Sequence, residues 1–184
     1  MRQNEMSNLK AIDLAYIAMG TVLMAVCSWI SIPTVIPVTL QTFAVFTVLQ
    51  LIGGKRGTLA IVTYILMAAV GIPVLAGFSG GLGAILGMTG GYIVGFVFIG
   101  LTYWIGEMLL GDKVWVRITT MILGMAGCYA FGTIWFTVVY SHQTEPIGIA
   151  TALGWCVIPF IIPDAIKLSM SVALSARLRK AMKN

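Results

Sequence analysis

The chain has 184 residues, 59% of them hydrophobic and only 9% charged, against about 25% charged in soluble domains. Apolar stretches recur along its whole length and leave no room for a soluble domain, so residues 1–184 read as one all-α integral membrane domain. The net charge of +5 does not make it a nucleic-acid binder, because the basic residues are not mixed with a polar, aromatic face.

Six spanning segments are predicted, at about 10–31, 38–53, 57–73, 88–110, 114–140 and 148–178, the second and third being short for a full crossing. In the first, basic residues precede an apolar run as in a signal peptide. However, "MAVCS" has Val26 where a lipoprotein cleavage site needs a small residue, and no A-x-A site ends the run. The segment is therefore read as a retained first helix. Ala11 and Ala15 lie one turn apart on it, a small-x-x-x-small pattern that permits close helix docking.

The second span opens with "IPVTLQTFAVF". Helix-start capping accounts for one of Thr39 and Thr42, but explains Gln41 less well, so all three are candidate polar contacts. The "GGKRGT" that follows does not meet G-x-x-x-x-G-K-[ST] and sits in a tight turn, not between a strand and a helix. It is rejected as a phosphate-binding loop.

The third join, "GIPVLAGFSGGLG", is uncharged and rich in glycine. Polar backbone of that kind is tolerated at membrane depth only where it is buried in protein or lines a cavity. Its "GFSG" matches a string used by intramembrane serine proteases. The sole histidine, His142, falls in the "HQTEPIG" join after the fifth span, where no packed helix holds it as a base for Ser79. Gly87, Gly91 and Gly95 recur at spacing four, which suits either close helix packing or backbone approach to a ligand. Cys27, Cys128 and Cys156 all sit in apolar stretches without metal-ligand spacing and read as small buried hydrophobes.

The last span, "IPFIIPDAIKLSM", carries Asp164 and Lys167 at i, i+3, on one helix face. A charge near the membrane centre costs about 2.5–3.5 kcal/mol on insertion scales, so such residues face a partner or a polar cavity. Either the pair is self-satisfied and only stabilises the bundle, or it belongs to a ligand pocket. Pro159 and Pro163 loosen the backbone there and favour the pocket.

Charge sets the orientation. Arg2 and Lys10, Lys55 and Arg56, Lys113 and Arg117, and Arg177, Arg179, Lys180 and Lys183 alternate with joins that lack Lys and Arg. Both termini are expected on the cytoplasmic side, which requires an even number of crossings.

The strings "IPVTLQTFAVF", "GIPVLAGFSGGLGAILGMTGGYIVGF" and "PDAIK" resemble the BioY family, the biotin-binding substrate (S) components of energy-coupling factor transporters. The resemblance covers nearly the whole chain. The family's usual G-P-T-G-G stands here as "GMTGG", with Met88 in place of proline, and its P-G-D-x-x-K stands as "IPDAIK". The resemblance implies a six-transmembrane-helix bundle in the cell membrane with an outward-facing biotin pocket and no cofactor or metal. In that pocket Asp164 would accept a ureido N–H and Lys167 would donate to the ureido carbonyl. Thr39, Gln41, Thr42, Ser79, Thr89 and Tyr92 would supply further polar contacts, and the backbone at Gly80, Gly83 and Gly91 would approach the ligand. It also implies that Ala11 and Ala15 dock a transmembrane coupling protein, which works with two ATPase subunits. The alternatives are an S component for another vitamin, a serine protease, and a structural subunit without ligand.

Overall fold

The computed structural model describes residues 10–32 and 37–181. Arg2 and Lys183, two of the orienting charges, and part of the "SIPTVIPV" join lie outside the described residues.

Helix α1 (Ala11–Trp29) leads into a two-residue antiparallel ribbon, β1 (Ser31–Ile32) with β2 (Val38–Thr39), in which Ser31 faces Thr39. Helices α2 (Gln41–Ile52) and α3 (Gly54–Ala69) follow, then one 3-10 turn (Ala76–Phe78) and the short α4 (Leu82–Ile85). The chain finishes with α5 (Gly90–Leu110), α6 (Val114–Gln143), α7 (Ile149–Cys156) and α8 (Ile158–Ala181). Four of these, α1, α5, α6 and α8, are long and apolar enough to cross a membrane. At 1.5 Å per residue, α2 reaches about 18 Å, well short of an apolar core about 30 Å thick.

Exposed residues such as Met19, Leu123 and Ile162 are large and apolar, as a lipid-facing surface requires. Inside, α2 packs against α8 on one side and against α1 and α3 on the other, while α5 joins α3 to α6. The core between them holds Met24, Phe46, Leu49, Ile61, Tyr64 and Ile99, all fully buried. The α5–α6 contact is the most extensive in the bundle, and it is tight: a Cβ on Gly91 would lie 2.3 Å from Trp135 Cβ, and one on Gly95 would lie 2.7 Å from Cys128 Sγ. Small residues let the two backbones approach.

Two expectations change. The last span is not one helix over 148–178 but breaks at Val157 into α7 and α8. Pro159 has no N–H to offer the carbonyl one turn back, so the chain starts a new helix with proline in its first turn. His142 lies in the last turn of α6, and the join begins after Gln143.

The two ends of the bundle are tied differently. At the end carrying the α2–α3 and α5–α6 turns, Gly53 adopts φ +84° and reverses the chain. There Gly54 N, at the start of α3, donates to Glu107 Oε2 at 2.6 Å, a carboxylate at a helix N-terminus. Arg179 Nε donates to Gln50 O at 2.8 Å and its guanidinium also bonds Asp112, while Arg117 Nε holds the same carboxylate at 2.5 Å. Asp13 pairs with Arg56 at 2.5 Å, joining the starts of α1 and α3. The opposite end opens into a cavity.

Candidate functional site

A cavity of about 340 Å³ lies at that end, within the range of small-ligand pockets. Its walls come from α2, the segment after α3, and α5 to α8. The approach to α2 and its first turn give Pro37, Thr39, Gln41 and Thr42; α5 and α6 give Tyr92, Ile93, Phe96, Met125, Cys128 and Tyr129. The segment after α3 gives Leu75, Ala76, Ser79, Ala84, Gly87 and Thr89. Cys156, Phe160, Asp164 and Lys167 complete it from α7 and α8.

Asp164 and Lys167 form its charged centre. Lys167 Nζ lies 2.9 Å from Asp164 Oδ1, with side chains only 9% and 7% exposed. Thr42 Oγ1 donates to Asp164 Oδ1 at 2.8 Å and accepts from Lys167 Nζ at 3.1 Å. Tyr129 OH donates to Asp164 Oδ2 at 2.6 Å. A carboxylate has about four acceptor positions and an ammonium three donors. Three acceptor positions and two donors are thus used, leaving one acceptor and one donor for a ligand. Such a pair suits a group presenting an N–H beside a carbonyl. Neither charge is tolerable alone at this depth, because desolvation is offset only by the pairing.

The other predicted residues divide. Thr39, Gln41, Ser79, Thr89 and Tyr92 line the cavity with the cluster. Gln41 Nε2 donates to Tyr64 OH at 2.7 Å, and Tyr64 OH donates to Val74 O at 3.0 Å. Thr39 Oγ1 accepts from Gln41 N at 3.2 Å, a local turn bond at the start of α2. Tyr92 OH is 3.0 Å from Thr133 Oγ1. Ser79 Oγ donates to Ala76 O at 2.8 Å, inside its own turn.

Gly80, Gly83 and Gly91 are not among the lining residues. A Cβ on Gly80 would meet Ile72 O at 2.4 Å, Gly83 faces open space, and Gly91 is occupied with Trp135. Of the three glycines at spacing four, only Gly87 reaches the cavity. Its carbonyl accepts from Trp135 Nε1 at 3.0 Å.

Tyr129 is the residue that sequence reasoning missed. Its signal is a tyrosine in the middle of an apolar helix, which needs a partner for its hydroxyl. Tyr64 escaped for the same reason.

Residues 70–89 roof the cavity and are fastened at both ends. Ser28 Oγ and Tyr64 OH both donate to Val74 O, Trp29 Nε1 donates to Pro73 O at 3.0 Å, and Trp135 holds Gly87. On α1, at a distance in sequence from all of this, Ala11 and Ala15 are exposed.

The chain matches the BioY family over residues 1–184. It is 38% identical over 165 residues to a biotin transporter BioY of Thermotoga maritima, covering 87% of this chain and 91% of that protein. With the biotin transporter BioY2 of Lactococcus lactis subsp. cremoris it shares 31% identity over 178 residues, 96% of this chain and 95% of the relative. Among solved structures, it superimposes on the S-component for biotin from an ECF-type ABC transporter with a TM-score of 0.79 and 26% identity, covering 94% and 95% of the two chains.

Proposed function

The chain belongs to the BioY family, and from that membership and the chemistry of the cavity we propose that it is the biotin-binding, membrane-embedded S component of an ATP-driven ECF importer, not an enzyme. The observation that carries the reading is the buried Asp164–Lys167–Thr42–Tyr129 cluster in the cavity wall. Biotin presents a ureido ring with two N–H donors and a carbonyl, and an apolar thioether ring. The spare acceptor on Asp164 and the spare donor on Lys167 complement the first, while Phe96, Met125 and Phe160 complement the second.

The bundle crosses the membrane six times, with α7 and α8 together forming the last crossing and both termini cytoplasmic. Lys55, Arg56, Lys113, Arg117 and Arg179 support this orientation, all at the end away from the cavity. The cavity then opens outward, where an importer meets its substrate. Thr39, Gln41, Ser79, Thr89 and Tyr92 supply the remaining polar contacts. No phosphate-binding loop occurs in the sequence, so ATP hydrolysis belongs to two ATPase subunits, reached through a transmembrane coupling protein. Exposed Ala11 and Ala15 form its docking face.

Titration of the purified chain with biotin, in competition with riboflavin and thiamine, tests the ligand. Saturable biotin binding that neither competitor displaces is expected; displacement by either, or no biotin binding, overturns the assignment. Ala15→Trp tests the dock. The variant is expected to bind biotin within about threefold of the parent, because close helix approach is blocked while the pocket groups stay in place. Assembly with the partner subunits, and uptake in cells that supply them, should be poor. Normal assembly and uptake would place the dock elsewhere.

A further inference from the structure

We propose that the exposed side of residues 70–89 is a lipid-contacting surface, seated in the headgroup–acyl boundary of the bilayer and anchored by Phe78 stacked on Trp29. It rests on the reading of the chain as a membrane protein, not on the identity of its ligand.

The segment has two apolar sides. Val74, Leu75 and Ile85 are buried at 4%, 3% and 8% exposure, while Val70, Phe78, Leu82 and Leu86 are 77%, 64%, 63% and 58% exposed. A loop facing water carries charge or hydrogen-bonding side chains on its outer side. Here no charged residue occurs between Arg56 and Glu107. The end of α6 and the join after it, with His142, Gln143, Thr144 and Glu145 exposed, show what a water-facing connection of this chain looks like. Contiguous exposed apolar surface on a membrane protein marks contact with lipid.

The backbone is prepared for that setting. Polar main-chain groups beside hydrocarbon need partners within the protein, and this segment supplies them. Ile72 N donates to Met67 O, Leu75 N to Ser79 O, Gly81 N to Ala68 O and Leu86 N to Leu82 O.

Phe78 adds an independent observation. It has φ +55° and is the non-glycine residue with positive φ among the described residues. That conformation is unfavourable for a side chain with a Cβ and persists only where the surroundings enforce it. Here it points a phenyl ring outward, 4.9 Å from the Trp29 ring. Aromatic side chains of this kind collect at membrane interfaces. Since Leu75, Ala76, Ser79 and Ala84 of the same segment line the cavity, the bilayer grips the roof of the site.

The test is site-directed fluorescence on the full chain in phosphatidylcholine nanodiscs. Phe78→Cys, Leu82→Cys and Glu145→Cys are each labelled with an environment-sensitive nitrobenzoxadiazole dye; the native Cys27, Cys128 and Cys156 are buried. Phosphatidylcholine spin-labelled near the headgroup should quench the dye at 78 and 82 several-fold more than at 145, and aqueous iodide should give the reverse order. Leu82→Cys carries the test if Phe78→Cys misfolds. Iodide quenching at 78 and 82 equal to that at 145 overturns the proposal. Because no ligand is used, a chain that failed to bind biotin yet showed lipid quenching would overturn only the ligand assignment.

Discussion

Helix α8 presents a basic side chain to an aspartate at two levels of the bundle, about 18 Å apart along its axis. Near its middle Lys167 meets Asp164; near its finish Arg179 meets Asp112. The chemistry is nearly the same and the settings are opposite. Asp164 is 7% exposed, faces a cavity, and is bonded by one ammonium and two hydroxyls. The Asp112 side chain is 43% exposed, faces outward, and is held by two guanidiniums. The first arrangement takes two charges out of water and leaves bonding capacity over. The second neutralises a carboxylate whose remaining acceptor positions are open to water, and ties the α5–α6 turn to α6 and α8. Stability alone accounts for the Asp112 staple, whereas the Asp164 pair makes sense as a site that holds something.

The largest expected effect separates those roles. Asp164→Asn leaves the Lys167 ammonium buried beside a neutral amide, and breaking a buried pair costs about 3–5 kcal/mol. A marked fall in melting temperature and at least a hundredfold loss of biotin affinity are expected by titration, with Lys167→Ala behaving alike. The double variant Asp164→Leu/Lys167→Met sharpens the point. Replacing a buried pair with apolar residues of similar size is often neutral or stabilising, by about 1–4 kcal/mol. Thermal stability should therefore return while biotin binding stays lost. A double variant that binds biotin like the parent would reduce the Asp164 pair to a second staple.

The next effect is smaller because only one bond is removed. Tyr129→Phe keeps the ring and deletes the donor to Asp164 Oδ2. Hydrogen bonds to charged groups contribute about 1.5–3 kcal/mol, so biotin affinity should fall roughly tenfold to a hundredfold. Unchanged affinity, measured by the same titration, would mean that the hydroxyl only closes the wall between α6 and α8.

These residues differ in how plainly the sequence announces them. Asp164 and Lys167 stand out because a charge inside an apolar span needs a reason, and their spacing puts them on one face. Thr42 and Gln41 stand out as polar groups at the start of an apolar helix. Tyr129 does not, since a tyrosine in a span is compatible with core packing, and its role depends on where α6 faces α8. Gly91 shows a different kind of ambiguity. Spacing four fits a ligand-facing or a helix-facing glycine equally, and only the position of Trp135 separates them. The long helices follow from apolar length alone. The break at Val157 depends on how the bundle uses Pro159, and the Ser31–Thr39 ribbon is too short to leave a period in the sequence.

The smallest effect concerns Asp112 and is best read through pH and salt. Partial burial raises its pKa, but the hydrogen bonds and charges of Arg179 and Arg117 outweigh that and hold the carboxyl below its ordinary value. The unfolded chain therefore binds the proton more readily than the folded one. The contribution is complete above the ordinary carboxylate pKa of about 3.9 and fades as the pH falls through the lower folded value. Exposed pairs of this kind are worth about 0–1 kcal/mol, so Asp112→Asn should lower the melting temperature slightly at pH 7 and leave biotin affinity alone. In acid below the lower folded value the parent and the variant should converge. They should converge also in 1 M salt, where the screening length falls to about 3 Å. The Asp164→Asn deficit should persist in that salt, because ions do not reach a buried pair. An Asp112 deficit insensitive to salt, or one accompanied by loss of biotin, would erase the distinction between the two pairs on α8.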